Sequence, residues 1–132
     1  MLCDLCGKKT NMPDKLTEQI IASAIEVHRI MGPGLLESIY EEALCYELSF
    51  RNIPYERQKA VDVFYKDKII KGQRLDLIVN GEVIVEIKSV RKLEEIFTAQ
   101  VLSYLKSTEL KRALLINFGG IKLIDGVKRL SL

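Results

Sequence analysis

Residues 73–89 read Gln73-Arg74-Leu75-Asp76-Leu77-Ile78-Val79-Asn80-Gly81-Glu82-Val83-Ile84-Val85-Glu86-Ile87-Lys88-Ser89. Asn-Gly between two runs of branched aliphatics is a strong hairpin signal, so the stretch reads as two antiparallel strands. Both runs carry charge where a buried strand should be apolar: Asp76 in the first, Glu86 and Lys88 in the second. An unpaired charge inside such a strand costs several kcal/mol. Either one face is solvated, or the charges share a purpose.

Register separates the two. A strict two-residue Asn80-Gly81 loop sets Asp76 opposite Val85 and turns Glu86 to the other face. A three-residue loop with a glycine bulge shifts the pairing by one residue. Asp76 then faces Glu86, Leu75 faces Ile87 and Leu77 faces Val85, which sorts polar with polar and apolar with apolar. The sequence therefore predicts a bulged hairpin at residues 80–82.

Outward from the hairpin, Val61, Val63 and Tyr65 alternate as a preceding strand, followed by a polar Lys66-Asp67-Lys68 turn. The second strand runs from Ile69 to Val79, with Gly72 marking a bulge or bend, and the third covers Val83 to Val90. Leu93, Ile96, Phe97, Gln100, Val101, Tyr104 and Leu105 then recur at the spacing of a helix lying on a sheet. Ala113 to Phe118 is a short apolar strand, and Ile121 to Ile124 reads as another after Gly119-Gly120. Upstream, Asp14 is a candidate N-cap for a helix through Leu16, Ile20, Ile21, Ala24, Ile25 and His28, which Gly32-Pro33-Gly34 stops. A second helix follows through Leu36, Ile39, Tyr40, Ala43, Leu44 and Leu48, with Glu37 in its first turn. The fold class expected is α/β: a central mixed sheet flanked by helices, with an α-β-β-β-α-β core and an extra N-terminal helix. Residues 1–12, with Cys3-x-x-Cys6, show neither period and read as a flexible leader. Residues 13–132 read as a single domain.

Composition narrows the function. The 132 residues suit one core, with twenty Lys plus Arg against eighteen Asp plus Glu. A formal charge of +2 is too small to hold nucleic acid by bulk electrostatics alone. No apolar stretch approaches a membrane span, and no signal peptide opens the chain, so a cytoplasmic protein is expected. Three cysteines argue for reduced thiols. Cys3 and Cys6 form half a zinc site that Cys45 and the single histidine do not complete.

Two carboxylates on adjacent strands, with a lysine two residues on, make an oxygen-rich pocket suited to a hard divalent cation such as Mg²⁺. Such an ion would neutralise a phosphate diester and supply the attacking water. Lys88 would position or deprotonate that water and offset charge developing on phosphorus. Gln100 takes a core-facing slot where Leu would be ordinary, and so needs a buried partner.

Asp76-x9-Glu86-x-Lys88 resembles the signature of the PD-(D/E)XK nuclease superfamily, although no Pro-Asp pair precedes the match. Gly34-Leu35-Leu36-Glu37-Ser38-Ile39-Tyr40 resembles the motif of the GxxExxY family within it. Gln100-x-x-x-Tyr104 is similar to the extra motif of the RecB-type, lambda-exonuclease-like branch. The resemblance spans about residues 16–125 and implies a restriction-endonuclease-like fold and a Mg²⁺- or Mn²⁺-dependent nuclease acting on nucleic acid, DNA foremost. It implies that Asp76 and Glu86 are metal ligands with the Ile87 backbone carbonyl as a third, and that Lys88 is catalytic. Glu37 would complete the site, as a ligand or catalytic group, and His28 is a further candidate ligand. Gln100 and Tyr104 would face the scissile phosphate or hold the catalytic groups. Arg74, Arg91, Lys92 and Tyr40 are candidates to touch substrate. The competing reading is an inactive nuclease-fold module that binds nucleic acid or a protein partner, and self-association is open to either.

Overall fold

The computed structural model describes residues 14–132; the leader with Cys3 and Cys6 lies outside them. The Asp14 side chain caps helix α1 (Lys15–Met31), accepting from the backbone N–H of Leu16 and Thr17. Gly32 closes α1 with a positive φ of 74°, and α2 (Glu37–Phe50) starts with Glu37 in its first turn. The sheet follows as β1 (Tyr55–Tyr65), β2 (Lys68–Val79) and β3 (Val83–Lys88), then helix α3 (Glu95–Thr108) and β4 (Arg112–Asn117). A 3-10 turn (Leu123–Gly126) leads into β5 (Val127–Ser131).

Strand order in the sheet is the chain order, antiparallel except for the β3–β4 pair, which is parallel across the α3 crossover. The sheet is therefore mixed, as expected. One face packs α1 and α2 through Ile20, Ala24, Tyr40 and Leu44 against Leu77, Val85 and Ile116. The other packs α3 through Val101, Tyr104 and Leu105 against Ile78, Ile84 and Leu115.

The central hairpin takes the bulged register: Leu77 pairs Val85 and Val79 pairs Val83, leaving Asn80, Gly81 and Glu82 as the loop. Asn80 and Gly81 both have positive φ, and Glu82 N–H donates to the Val79 carbonyl at 3.0 Å. Gly72, with φ of 113°, sits where the β1–β2 register shifts, as its position in the strand implied.

Several expectations are corrected. Leu75 does not face Ile87: the β2–β3 ladder ends at Leu77–Val85, and Leu75 is buried toward α3 while Ile87 is buried toward α1 and α2. Ile121 to Ile124 form no strand. Ile121 and Ile124 are exposed and only Leu123 is buried there, so the edge strand starts later, at Val127. The first strand begins at Tyr55 rather than Val61. Leu36, Ile39 and Ile96 fit a helical apolar stripe, yet all three are exposed.

Candidate functional site

Period-two alternation breaks at one point in β2. Leu77 and Val79 face α1 and α2, and Ile78 faces α3, yet Leu75 also faces α3. The switch falls on Asp76. Opposite it in β1, Gln58 has φ of 51°, and the Gln58–Asp76 pair is missing between Arg57–Leu77 and Lys59–Leu75. Both strands turn over at this step, and the carboxylates take over where the backbone ladder stops. Asp76 N–H donates to Glu86 Oε1 at 2.7 Å, and Ile87 N–H donates to Asp76 Oδ2 at 2.8 Å. Each strand thus hydrogen-bonds a side chain of the other.

Lys88 follows on β3, half-buried, with Nζ donating to Gln100 Oε1 at 3.4 Å and lying 4.6 Å from the centre of the Phe97 ring. The partner that the sequence required for Gln100 is therefore Lys88. Tyr104, one turn further along α3, donates its hydroxyl to the Arg74 carbonyl at 3.0 Å, two residues before Asp76. The Arg74 guanidinium is exposed and donates to the Gln58 carbonyl.

The segment between α1 and α2 closes the site from the opposite face. Tyr40 is fully buried and stacks on Phe118 with 4.6 Å between ring centres. Its hydroxyl donates to the Gly32 carbonyl and accepts from Leu35 N–H. With no exposed surface and its hydroxyl engaged twice, Tyr40 does not fit the expected substrate contact; it fixes the turn that carries Glu37. Glu37 Oε2 accepts from Ser89 N–H at 3.3 Å, and Ser89 Oγ donates to the Leu35 carbonyl at 2.6 Å. This pins the start of α2 to the end of β3. His28 is engaged elsewhere: it is buried, with Nε2 2.9 Å from the Gly120 carbonyl and its ring near Phe118. It joins α1 to the loop after β4 rather than to the carboxylates. Arg91 and Lys92 are exposed just past the site.

Sequence reasoning missed Glu41. It lies one turn beyond Glu37 on α2, buried, and accepts from Arg57 Nε at 3.1 Å and Gln58 Nε2 at 3.0 Å. The four-residue step from Glu37 was the available signal.

Burial, then the neighbouring Asp76 charge, pushes the Glu86 carboxyl up to about 8. Burial also raises Asp76, with the Glu41 charge adding to it. Tyr104 is raised by burial and by the Glu86 and Asp76 charges. Among the described residues, neither Asp76 nor Glu86 has a cationic side chain within 4.0 Å. Two inward-facing carboxylates without a counter-ion are the donor set that a hard cation satisfies. Among the described residues, no three His, Cys, Asp or Glu side chains converge as a ligand cluster. The side chains alone therefore supply two ligands, not a closed cage.

A family model of the PD-(D/E)XK nuclease superfamily matches residues 14–130, nearly the whole domain. The chain belongs to this superfamily. No curated protein and no solved structure matches it. The five-stranded mixed sheet with helices on both faces is the restriction-endonuclease-like fold of the PD-(D/E)XK nucleases. Membership points to nuclease activity with nucleic acid as substrate, in a superfamily whose members typically use divalent metals. Among the described residues, no helix is long and apolar enough to cross a membrane.

Proposed function

We propose that the chain is a divalent-metal-dependent nuclease of the GxxExxY family, on the RecB-like side of the superfamily, that hydrolyses phosphodiester bonds in DNA. The observation that carries the reading is the exchange at the ladder break, where Asp76 and Glu86 each hold the other strand's N–H beside Lys88. A structural sheet would gain by replacing this pair with aliphatics, since buried ionisable groups without a counter-ion destabilise it.

Asp76 and Glu86 would hold Mg²⁺ or Mn²⁺, with the Ile87 carbonyl as third ligand; Glu37, held by Ser89 N–H, would complete the site only by moving toward the pair. The bound ion would supply Lewis acidity and a water nucleophile at neutral pH. Lys88, two residues beyond Glu86 on β3, would offset negative charge developing on phosphorus and position the attacking water. Gln100 and the Phe97 face hold that ammonium in position. Tyr104 fixes the Arg74 carbonyl and so the approach of β2 to the site. Arg74, Arg91 and Lys92 offer exposed cations to the phosphates of the strand. His28 braces the loop at Gly120, and a cytoplasmic setting suits the free, buried Cys45 thiol.

The test is cleavage of linear double-stranded DNA, single-stranded DNA and RNA with Mn²⁺. Wild type should cut, with DNA the best substrate, and Lys88→Ala should lose at least about a hundredfold in rate while still binding Mn²⁺. Undiminished cutting by Lys88→Ala would place the activity elsewhere. Asp76→Ala and Glu86→Ala should lose Mn²⁺ binding by calorimetry. A wild-type chain that binds no metal would favour the inactive module.

A further inference from the structure

Beyond Lys88 the chain leaves β3 as Ser89-Val90-Arg91-Lys92, and β4 ends alongside it at Asn117 because the two strands run parallel. A cleft of about 540 Å³ opens between these two strand ends and the 3-10 turn. Its lining includes Arg91, Lys92, Asn117, Lys122, Asp125 and Lys128. Four cations thus face one carboxylate, a larger local excess than the +2 of the entire chain.

Among the described residues a cation without a carboxylate partner is common; these four stand out because they line one concavity. Arg29, Arg51, Arg57, Lys59, Lys71 and Arg112 each have a carboxylate within 4.0 Å. Among the described residues, none of the four cleft cations does; Lys128 Nζ has only Thr98 Oγ1, at 3.4 Å. Unpaired like charges around a concavity focus positive potential into it, and an anion entering there relieves their repulsion.

The cleft is also preformed. Asn117 is buried at its floor, with Oδ1 accepting from Val90 N–H and Gly119 N–H, and Nδ2 donating to the Val90 carbonyl. A Cβ on Gly119 would lie 2.3 Å from the Val90 oxygen, so the strand ends meet at the closest approach the backbone permits. His28 holds the far wall through the Gly120 carbonyl. The volume suits a nucleotide rather than a bare ion. Arg91 is three residues past Lys88, at most ~10 Å of chain.

We propose that this cleft is an anion site for the phosphates of the nucleotides on one side of the cut, held by Arg91, Lys92, Lys122 and Lys128. The proposal rests on the reading of Asp76, Glu86 and Lys88 as the cutting site, and it adds Lys122 and Lys128 to the strand's path. The phosphate is either an internal diester or a terminal monoester.

Fluorescence anisotropy in EDTA tests this without cleavage, using a single-stranded oligonucleotide of about twelve nucleotides with a 5′-hydroxyl or a 5′-phosphate. Lys122→Glu with Lys128→Glu should weaken binding at least about tenfold and flatten the dependence of log K on log salt by about one unit or more. Lys66→Glu with Lys68→Glu, the same charge change on the exposed β1–β2 turn, should cost under about threefold. Lys122→Gln with Lys128→Gln should act in the same direction with a smaller effect, which covers the case of a reversal that fails to fold. A wild-type preference for the 5′-phosphate that the cleft variant loses assigns a terminal phosphate; equal loss on both oligonucleotides assigns internal diesters. Wild-type affinity in the cleft variants, or a loss matched by the Lys66/Lys68 variant, overturns the proposal. A cleft-dependent loss in a chain that never cuts with Mn²⁺ would instead overturn the nuclease reading and leave the anion site standing.

Discussion

Glu86 sits where a carboxylate is costly: buried in the sheet, facing Asp76, with a single N–H to compensate it. Its folded pKa of about 8 lies above the ordinary 4.5, so the folded state keeps a proton that the unfolded chain releases. Stability from this group is fully present below pH 4.5, falls as pH rises toward 8, and levels beyond it. Thermal unfolding of the metal-free protein should therefore show a falling midpoint across that window, with a total change of a few kcal/mol. Glu86→Gln should flatten the profile and exceed wild type at pH 9, and saturating Mn²⁺ should flatten it by a different route, favouring the ionised pair. A wild-type midpoint that does not fall from pH 6 to 9 would remove the buried acid. At this scale the sequence was informative for a physical reason: Asp76, Glu86 and Lys88 break an aliphatic pattern, and breaks are visible. Glu41 sits in a helix where glutamate is ordinary, and Tyr40 looks the same whether it touches substrate or core.

Elements are set by how strands and turns are tied together. The Gly32–Leu35 segment depends on the Tyr40 hydroxyl, which satisfies one carbonyl and one N–H. Tyr40→Phe leaves both wanting and should cost about 1–3 kcal/mol in urea denaturation, while also loosening Glu37 from Ser89. Gly119→Ala should cost more than about 2 kcal/mol, because the Val90 backbone it would strike cannot swing aside. A variant as stable as wild type would show that the junction of β3 and β4 is slack. Helix α1, the bulged hairpin and the central strands were legible because a cap, an Asn-Gly pair and unbroken apolar runs each have a local cause. The overturn at Gln58 and Asp76 was not, since it needs two strands to distort together and neither sequence carries a glycine there. The edge strand was misplaced because Ile121 and Ile124 look like core but lie exposed around a 3-10 turn.

At the scale of the molecule, the net charge of +2 leaves little general attraction for a polyanion. Isolated chains should therefore bind DNA weakly and with strong salt dependence, and tight engagement would call for self-association or a partner. Nanomolar affinity by a proven monomer at physiological salt, measured by anisotropy, would contradict this. The topology has a further consequence. The three-stranded β1–β2–β3 meander and the β4–β5 pair each join neighbours in sequence, whereas the parallel β3–β4 seam closes only after α3 has crossed over. Pairings distant in sequence carry a loop-closure cost before their contacts offset it. Lys88 belongs to the first unit, while its partner Gln100 and the cations Lys122 and Lys128 arrive from beyond it. A chain emerging from the ribosome thus presents Asp76 and Glu86 before Gln100, Lys122 and Lys128 have been made, so the proposed site is complete only once the last seam has closed.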